Sequence, residues 1–252
     1  MRMRQPPPAV STLTTRRVSS GLMPAKRLPP APVPETLTRL DHLYADAVCS
    51  LEFRRPLELL VATILSAQCT DARVNLVTPE VFKRFPDAPA LGAAPPGALE
   101  DVIRSTGFFN AKSKSLRGMA KALVEKHGGE VPRTMKELYA LPGVGRKTAN
   151  VVLGNVWGEP DGVVVDTHVG RLARRLGWTK HEDPAKAERD LNKIIPKKRW
   201  TWISHALIQH GRRICSSQRP KCDLCTLADI CPKVGIEKKK TSSKVKRIRK
   251  RK

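Results

Sequence analysis

Residues 134–157 read Thr-Met-Lys-Glu-Leu-Tyr-Ala-Leu-Pro-Gly-Val-Gly-Arg-Lys-Thr-Ala-Asn-Val-Val-Leu-Gly-Asn-Val-Trp, and they constrain the fold more than any other stretch. Thr134 stands three positions before Glu137, the spacing of a capping box, so a helix is expected to begin there. Leu138 and Leu141 give it an apolar side. Pro142 and Gly143 stop it, and Gly145 is expected to allow a backbone path that a side chain would obstruct. Apolar spacing resumes at Ala149, Val152 and Leu153, which places a second helix start near Arg146. The unit is helix, Gly-Val-Gly hairpin, helix. The first turn of its second helix carries backbone N–H groups without intrahelical partners, an arrangement that attracts an anion such as phosphate. A plain αα-hairpin with a glycine turn has the same spacing.

Charge favours the anion. The chain has 47 Lys and Arg against 23 Asp and Glu in 252 residues. Six of the basic residues fall within 1–34 and ten within 238–252, both stretches without an acid. The middle keeps 31 basic against 23 acidic residues, so a polyanionic partner is expected for the folded part itself. This length suits one or two domains with a buried core. No apolar run approaches the ~20 residues that span a bilayer, so no membrane partner is expected.

Residues 1–34 are rich in Pro, Ser, Thr and Arg and read as a disordered basic tail, as do residues 237–252. The acid-free N-terminus also suits an organelle transit peptide, but Gln5-Pro6-Pro7-Pro8 opposes the amphipathic helix such peptides need, which ranks that reading second. Between the tails, helical patterning dominates. Residues 35–53 read as one helix, and Pro56 opens the next, where Leu57, Leu60, Val61, Ile64 and Leu65 follow an amphipathic spacing. Further helices are expected near 78–84, 98–106 and 110–126, the second stopped by Gly107 and the third capped by Asn110. Gly162-Val163-Val164-Val165 is short and β-branched and leads into Asp166, a natural N-cap for a helix from Thr167. Trp200, Trp202, Leu207 and Ile208 mark the last long helix. The expected fold class is all-α.

The six cysteines do not form a disulfide framework. Cys49 and Cys69 lie apart, in stretches that read as apolar and helical, while Cys215-x6-Cys222-x2-Cys225-x5-Cys231 packs four into 17 residues. That spacing indicates a metal centre in a reducing compartment, with zinc the ordinary choice for four thiolates.

Taken whole, the Leu-Pro-Gly-Val-Gly-Arg-Lys-Thr-Ala-Asn run resembles the helix–hairpin–helix signature of the endonuclease III family of DNA glycosylases, and the likeness extends from about Leu37 to Cys231. It implies a two-lobed helical fold with a DNA-binding cleft between the lobes. One lobe would be residues 53–159; the other would combine 35–52 with 160–236 and hold the cysteine loop. It implies a 4Fe–4S cluster on Cys215, Cys222, Cys225 and Cys231, in a structural or redox role. It implies that Lys147 is the catalytic amine and that Asp166, in Val-Asp-Thr-His, is the catalytic carboxylate. An ordinary lysine is almost wholly protonated at neutral pH, and a helix start opposes a cation only weakly, so burial would have to do most of the activation.

The reaction implied is excision of oxidised pyrimidines from duplex DNA through a lysine Schiff base, followed by β-elimination at the abasic site. Gln68 matches the glutamine that enters the gap left by a flipped base, and Phe108 in Gly107-Phe108-Phe109-Asn110 matches a second wedge, with core packing as its alternative. DNA contacts are further expected at Gly143, Gly145, Arg146, Thr148, His168, Arg212 and Arg213. The rival readings are a mismatch-specific adenine, thymine or uracil glycosylase of the same superfamily and a non-catalytic helix–hairpin–helix DNA-binding protein with zinc. The adenine-specific branch lacks a lysine at position 147. The protein is expected to be a bacterial, cytoplasmic, nucleoid-associated monomer.

Overall fold

Helices follow from the apolar spacing, and the computed structural model describes them over residues 28–236. In chain order they are α1 (Val33–Tyr44), α2 (Pro56–Leu65), α3 (Asp71–Arg84), α4 (Ala88–Gly92), α5 (Ala98–Ile103), α6 (Phe109–His127), α7 (Met135–Tyr139), α8 (Arg146–Val152), α9 (Thr167–Arg175), α10 (Pro184–Ile194) and α11 (Trp200–Arg213). No strand occurs among the described residues. The tail expected at 237–252, and most of that expected at 1–34, lie outside them. Residues 28–34 do not lie apart from the fold, because Ala31 is buried, donates its N–H to Leu176 O at 2.8 Å and accepts from Trp178 Nε1 at 2.8 Å.

Two hydrophobic cores form. The first runs from Leu51 to Leu153 and is filled by Leu59, Leu60, Leu65, Leu116, Met119 and Leu138. The second joins Ala31, Leu40 and Tyr44 from the start of the chain to Val163 and the residues after it, ending at Leu227. The chain therefore begins one core, builds the other, and returns. Helix α2 is central to the first, in contact with α3, α6 and α8. That explains why it is buried on nearly every side rather than on one face, with Leu59 and Ala62 inside as well as the residues of the amphipathic pattern. Each of its four buried leucines contributes about 1.5–3 kcal/mol relative to exposure.

Several element boundaries differ from expectation for local reasons. Helix α1 stops at Tyr44 instead of reaching 53, and its last carbonyl accepts from Trp202 Nε1 at 2.8 Å. Helix α3 begins at Asp71 rather than near 78, capped by Thr70 Oγ1, and Pro79, which resembles a helix start, lies inside it. Helix α6 is not capped by Asn110: it starts at Phe109 from Phe108 in the left-handed region. Cys49 and Cys69 both lie outside helices. Residues 163–165, which read as β-branched, adopt no regular secondary structure and pair with no strand.

Candidate active site and cysteine loop

The hairpin is built by close approach. Thr134 Oγ1 caps α7 by accepting from Glu137 N at 3.2 Å, but Glu137 returns to the Thr134 hydroxyl at 2.6 Å and not to its backbone, so only half of the capping box forms. Leu138, Leu141 and Val144 are buried and bind the turn to the first core. Gly143 sits at φ 75°, and a Cβ there would lie 2.5 Å from Ser115 Cβ. Gly145 corrects expectation: its φ of −85° suits any residue, and a Cβ there would meet nothing within 4 Å. What its glycine provides is bare, open backbone at the start of α8.

Lys147 lies exposed in the first turn of α8, with Thr148 half-buried behind it. The expected burial of Lys147 is absent in the free protein. Arg146 is not free for phosphate, because its guanidinium pairs with Glu188 at 2.7 Å and Asp161 at 2.9 Å, and Glu188 raises its affinity for the proton further.

Asp166 occupies the N-cap of α9, where Oδ1 accepts from Val169 N at 2.8 Å. Its placement is set by the irregular segment before it, which has no sheet to satisfy its polar backbone. Side chains from three helices do so instead. Asn150 of α8 donates to Gly162 O at 2.7 Å and accepts from Asp161 N at 2.8 Å. Asn192 of α10 accepts from Val163 N at 2.9 Å, and Ser204 of α11 accepts from Val164 N at 3.0 Å. Asn150 thus joins the helix that carries Lys147 to the segment that ends at Asp166. Among these residues only Asn150 lies in the hairpin motif; Asn192 and Ser204 carry no signal in the sequence.

Around Asp166 the helices bring several charged groups together. His168 Nδ1 lies 3.1 Å from Arg171 Nη2, which makes that nitrogen the acceptor, and burial pushes the imidazole below its ordinary value. His205 is pushed down by burial and is held to Asn155 Oδ1 at 2.8 Å, with the Asp166 carboxylate opposing the shift. Arg212 pairs with Asp71 at 2.8 Å, an ion pair that joins α11 to α3. Arg213 stacks on the Tyr44 ring at 5.8 Å. Gln68 and Phe108 are both exposed and both have positive φ, 53° and 48°. Phe108 is 66% exposed and so is not a core residue.

The four cysteines come after α11 on a loop braced by Arg175. That buried guanidinium donates to the Cys215 carbonyl at 3.2 Å, to Cys215 Sγ at 3.1 Å, and to the Ser216 and Ser217 carbonyls at 2.7 Å each. Lys233 N donates to Cys231 Sγ at 3.4 Å, and His210 Nε2 lies 3.4 Å from Cys225 Sγ. Burial pushes the Cys225 and Cys231 thiols up, and the neighbouring cysteines push in the same direction. Such thiols ionise together only when a cationic centre takes their charge. Among the described residues no three ligating side chains are grouped to hold a single metal ion.

A family model described as "HhH-GPD superfamily base excision DNA repair protein" matches residues 61–197. The endonuclease III of Synechocystis sp. is 53% identical over 198 residues, 79% of this chain and 90% of that one. The endonuclease III of Escherichia coli is 37% identical over 207 residues, 82% of this chain and 95% of that one. A solved non-covalent endonuclease III–DNA complex aligns with a TM-score of 0.75 at 42% identity, covering 79% of this chain and 93% of that chain. A trapped endonuclease III–DNA covalent intermediate, an estranged-adenine complex, aligns with the same score, identity and coverage.

Proposed function

Since the chain belongs to the HhH-GPD superfamily of base excision DNA repair proteins, and within it to the endonuclease III family, we propose that Lys147 and Asp166 are its catalytic residues. The protein is a bifunctional DNA glycosylase and abasic-site lyase of base excision repair, and its partner is damaged duplex DNA. The observation that carries the assignment is the Asn150 bridge, which couples the helix presenting an exposed Lys147 to the segment presenting Asp166.

Lys147 Nζ forms a bond to C1′ of a flipped nucleotide as the glycosidic bond breaks, and the bonding pair leaves with the base. The Asp166 carboxylate stabilises the positive charge that develops on the sugar and accepts the proton that Nζ loses on attack. The C1′–O4′ bond then breaks, its pair leaving on O4′, which is protonated, as the C1′–Nζ double bond of the Schiff base forms. Water takes the C2′ proton as the C3′–O bond breaks and its pair leaves with the 3′ phosphate, and a second water hydrolyses the C1′–Nζ double bond to free the amine. Because Lys147 is exposed in the free protein, the desolvation that activates it comes from DNA closing over the hairpin. Gly143, Gly145 and Thr148 support a phosphate at the start of α8. Gln68 and Phe108 enter the stack, and His168, Arg212 and Arg213 flank the backbone. Two domains are proposed, 53–159 and 35–52 with 160–236, which follow the two cores except that Leu51 packs in the first and Ala31 in the second.

The donor set fits a 4Fe–4S cluster, four cysteine thiols on one loop with N–H groups directed at the sulfurs of Cys215 and Cys231. Cys215, Cys222, Cys225 and Cys231 would hold it, and it would supply structural stapling or electron exchange rather than bond cleavage. Oxidised pyrimidines are the proposed lesions, and a monomer in the bacterial cytoplasm is the proposed form. Activity on duplexes carrying thymine glycol, an abasic site, uracil or an adenine mismatch tests the reading: cleavage is expected at the first two, and preference for uracil or mismatched adenine would overturn the lesion assignment.

A further inference from the structure

Lys112 is a buried cation that the chemistry above does not use. The residue is 5% exposed, and Nζ donates to Leu65 O at 2.8 Å and to Thr106 O at 2.7 Å. Leu65 ends α2, and Thr106 ends the tight turn Arg104–Thr106 that extends α5. Both carbonyls lie at helix ends, where they lack intrahelical partners and carry partial negative charge, so one ammonium closes two ends at once. Among the described residues no carboxylate pairs with it, and burial pushes its proton affinity down. A buried charge held only by carbonyls is costly beside an apolar side chain of similar size. Packing alone does not explain a lysine here.

The loops that leave the two carbonyls explain it. Gln68 stands three residues beyond Leu65 and Phe108 two beyond Thr106, each exposed. Among the described residues only Lys233 joins them as a non-glycine with positive φ. The Lys112 backbone N–H also donates to Phe108 O at 3.0 Å. The geometry points to Lys112 as the positioning residue that holds the Gln68 and Phe108 loops in register with each other, so that both side chains enter one gap in the base stack together. This rests on the proposal that those two residues are wedges.

The test uses the full chain in single-turnover excision from a damaged duplex carrying 2-aminopurine opposite the lesion, whose fluorescence rises on unstacking. Gln68→Ala and Phe108→Ala are each expected to lower both signals. Lys112→Met is expected to lower duplex excision and the fluorescence rise by roughly tenfold or more, while cleavage of a single-stranded abasic site, which has no stack to fill, is unchanged. Combined with Phe108→Ala it should be no worse than the poorer single variant. Should Lys112→Met not fold, Lys112→Gln, whose shorter amide reaches one carbonyl at most, takes its place. Equal losses on duplex and single strand, or full additivity with Phe108→Ala, would overturn the Lys112 assignment alone. Unchanged excision by both Gln68→Ala and Phe108→Ala would overturn the wedges themselves.

Discussion

At Gly143 a methyl group would press within 2.5 Å of Ser115 Cβ on a left-handed backbone, whereas at Gly145 it would meet nothing within 4 Å. Gly143→Ala is therefore expected to cost about 2 kcal/mol or more of stability, from the backbone conformation and the clash together. Gly145→Ala should leave the melting temperature unchanged but weaken binding to damaged duplex, because the new methyl occupies the open face of the α8 start. Equal destabilisation by both would contradict the account. His205 gives a pH dependence. Its folded-state value lies below the ordinary ~6.5, so above that pH both states are neutral, and as pH falls below it the unfolded chain takes up a proton that the folded chain does not. Stability should decline from about pH 6.5 downward until the folded-state value is reached. His205→Gln should lessen that decline in thermal melts across pH without removing it, because burial pushes His168 and His210 down as well.

The helices of the hairpin were legible because their signals are local: a cap at Thr134, a stop at Pro142 and apolar spacing from Ala149. Helix α3 was not, because Pro79 imitates a helix start and the true cap, Thr70, comes after a polar stretch. The end of α1 depends on Trp202, a partner far along the chain that no local pattern announces. The cysteine loop lies between these cases. Its four thiols are plain in the sequence, but the Arg175 brace that orders them is visible only in the fold. Anaerobically purified protein is expected to be brown, with iron and sulfide in comparable amounts, and Cys222→Ser should lower both and loosen the loop after α11. Stoichiometric zinc without sulfide would contradict the cluster.

Across the whole molecule, the two cores are tied by polar contacts between distant segments. Arg146 reaches Glu188, Arg212 reaches Asp71, and Asn150 reaches the Gly162 carbonyl. Arg146 and Arg212, both expected as DNA contacts, each have a carboxylate partner within the fold of the free protein. The positions of Lys147 and Asp166 at helix starts were legible because each stands inside a recognisable motif. The side chains that fix Asp166 in place were not, since Asn192 and Ser204 lie on other helices. Catalysis as proposed requires Lys147 to supply the nucleophile and Asp166 the opposing charge. Borohydride added during turnover reduces a Schiff base to a stable amine, so wild-type protein should become covalently joined to damaged DNA. Asp166→Asn keeps a side chain able to cap α9 and should fold, with base excision reduced about a hundredfold or more and abasic-site cleavage less affected. Lys147→Gln should bind damaged duplex and give no trapped complex; undiminished trapping by that variant would assign the chemistry to another amine and contradict the account.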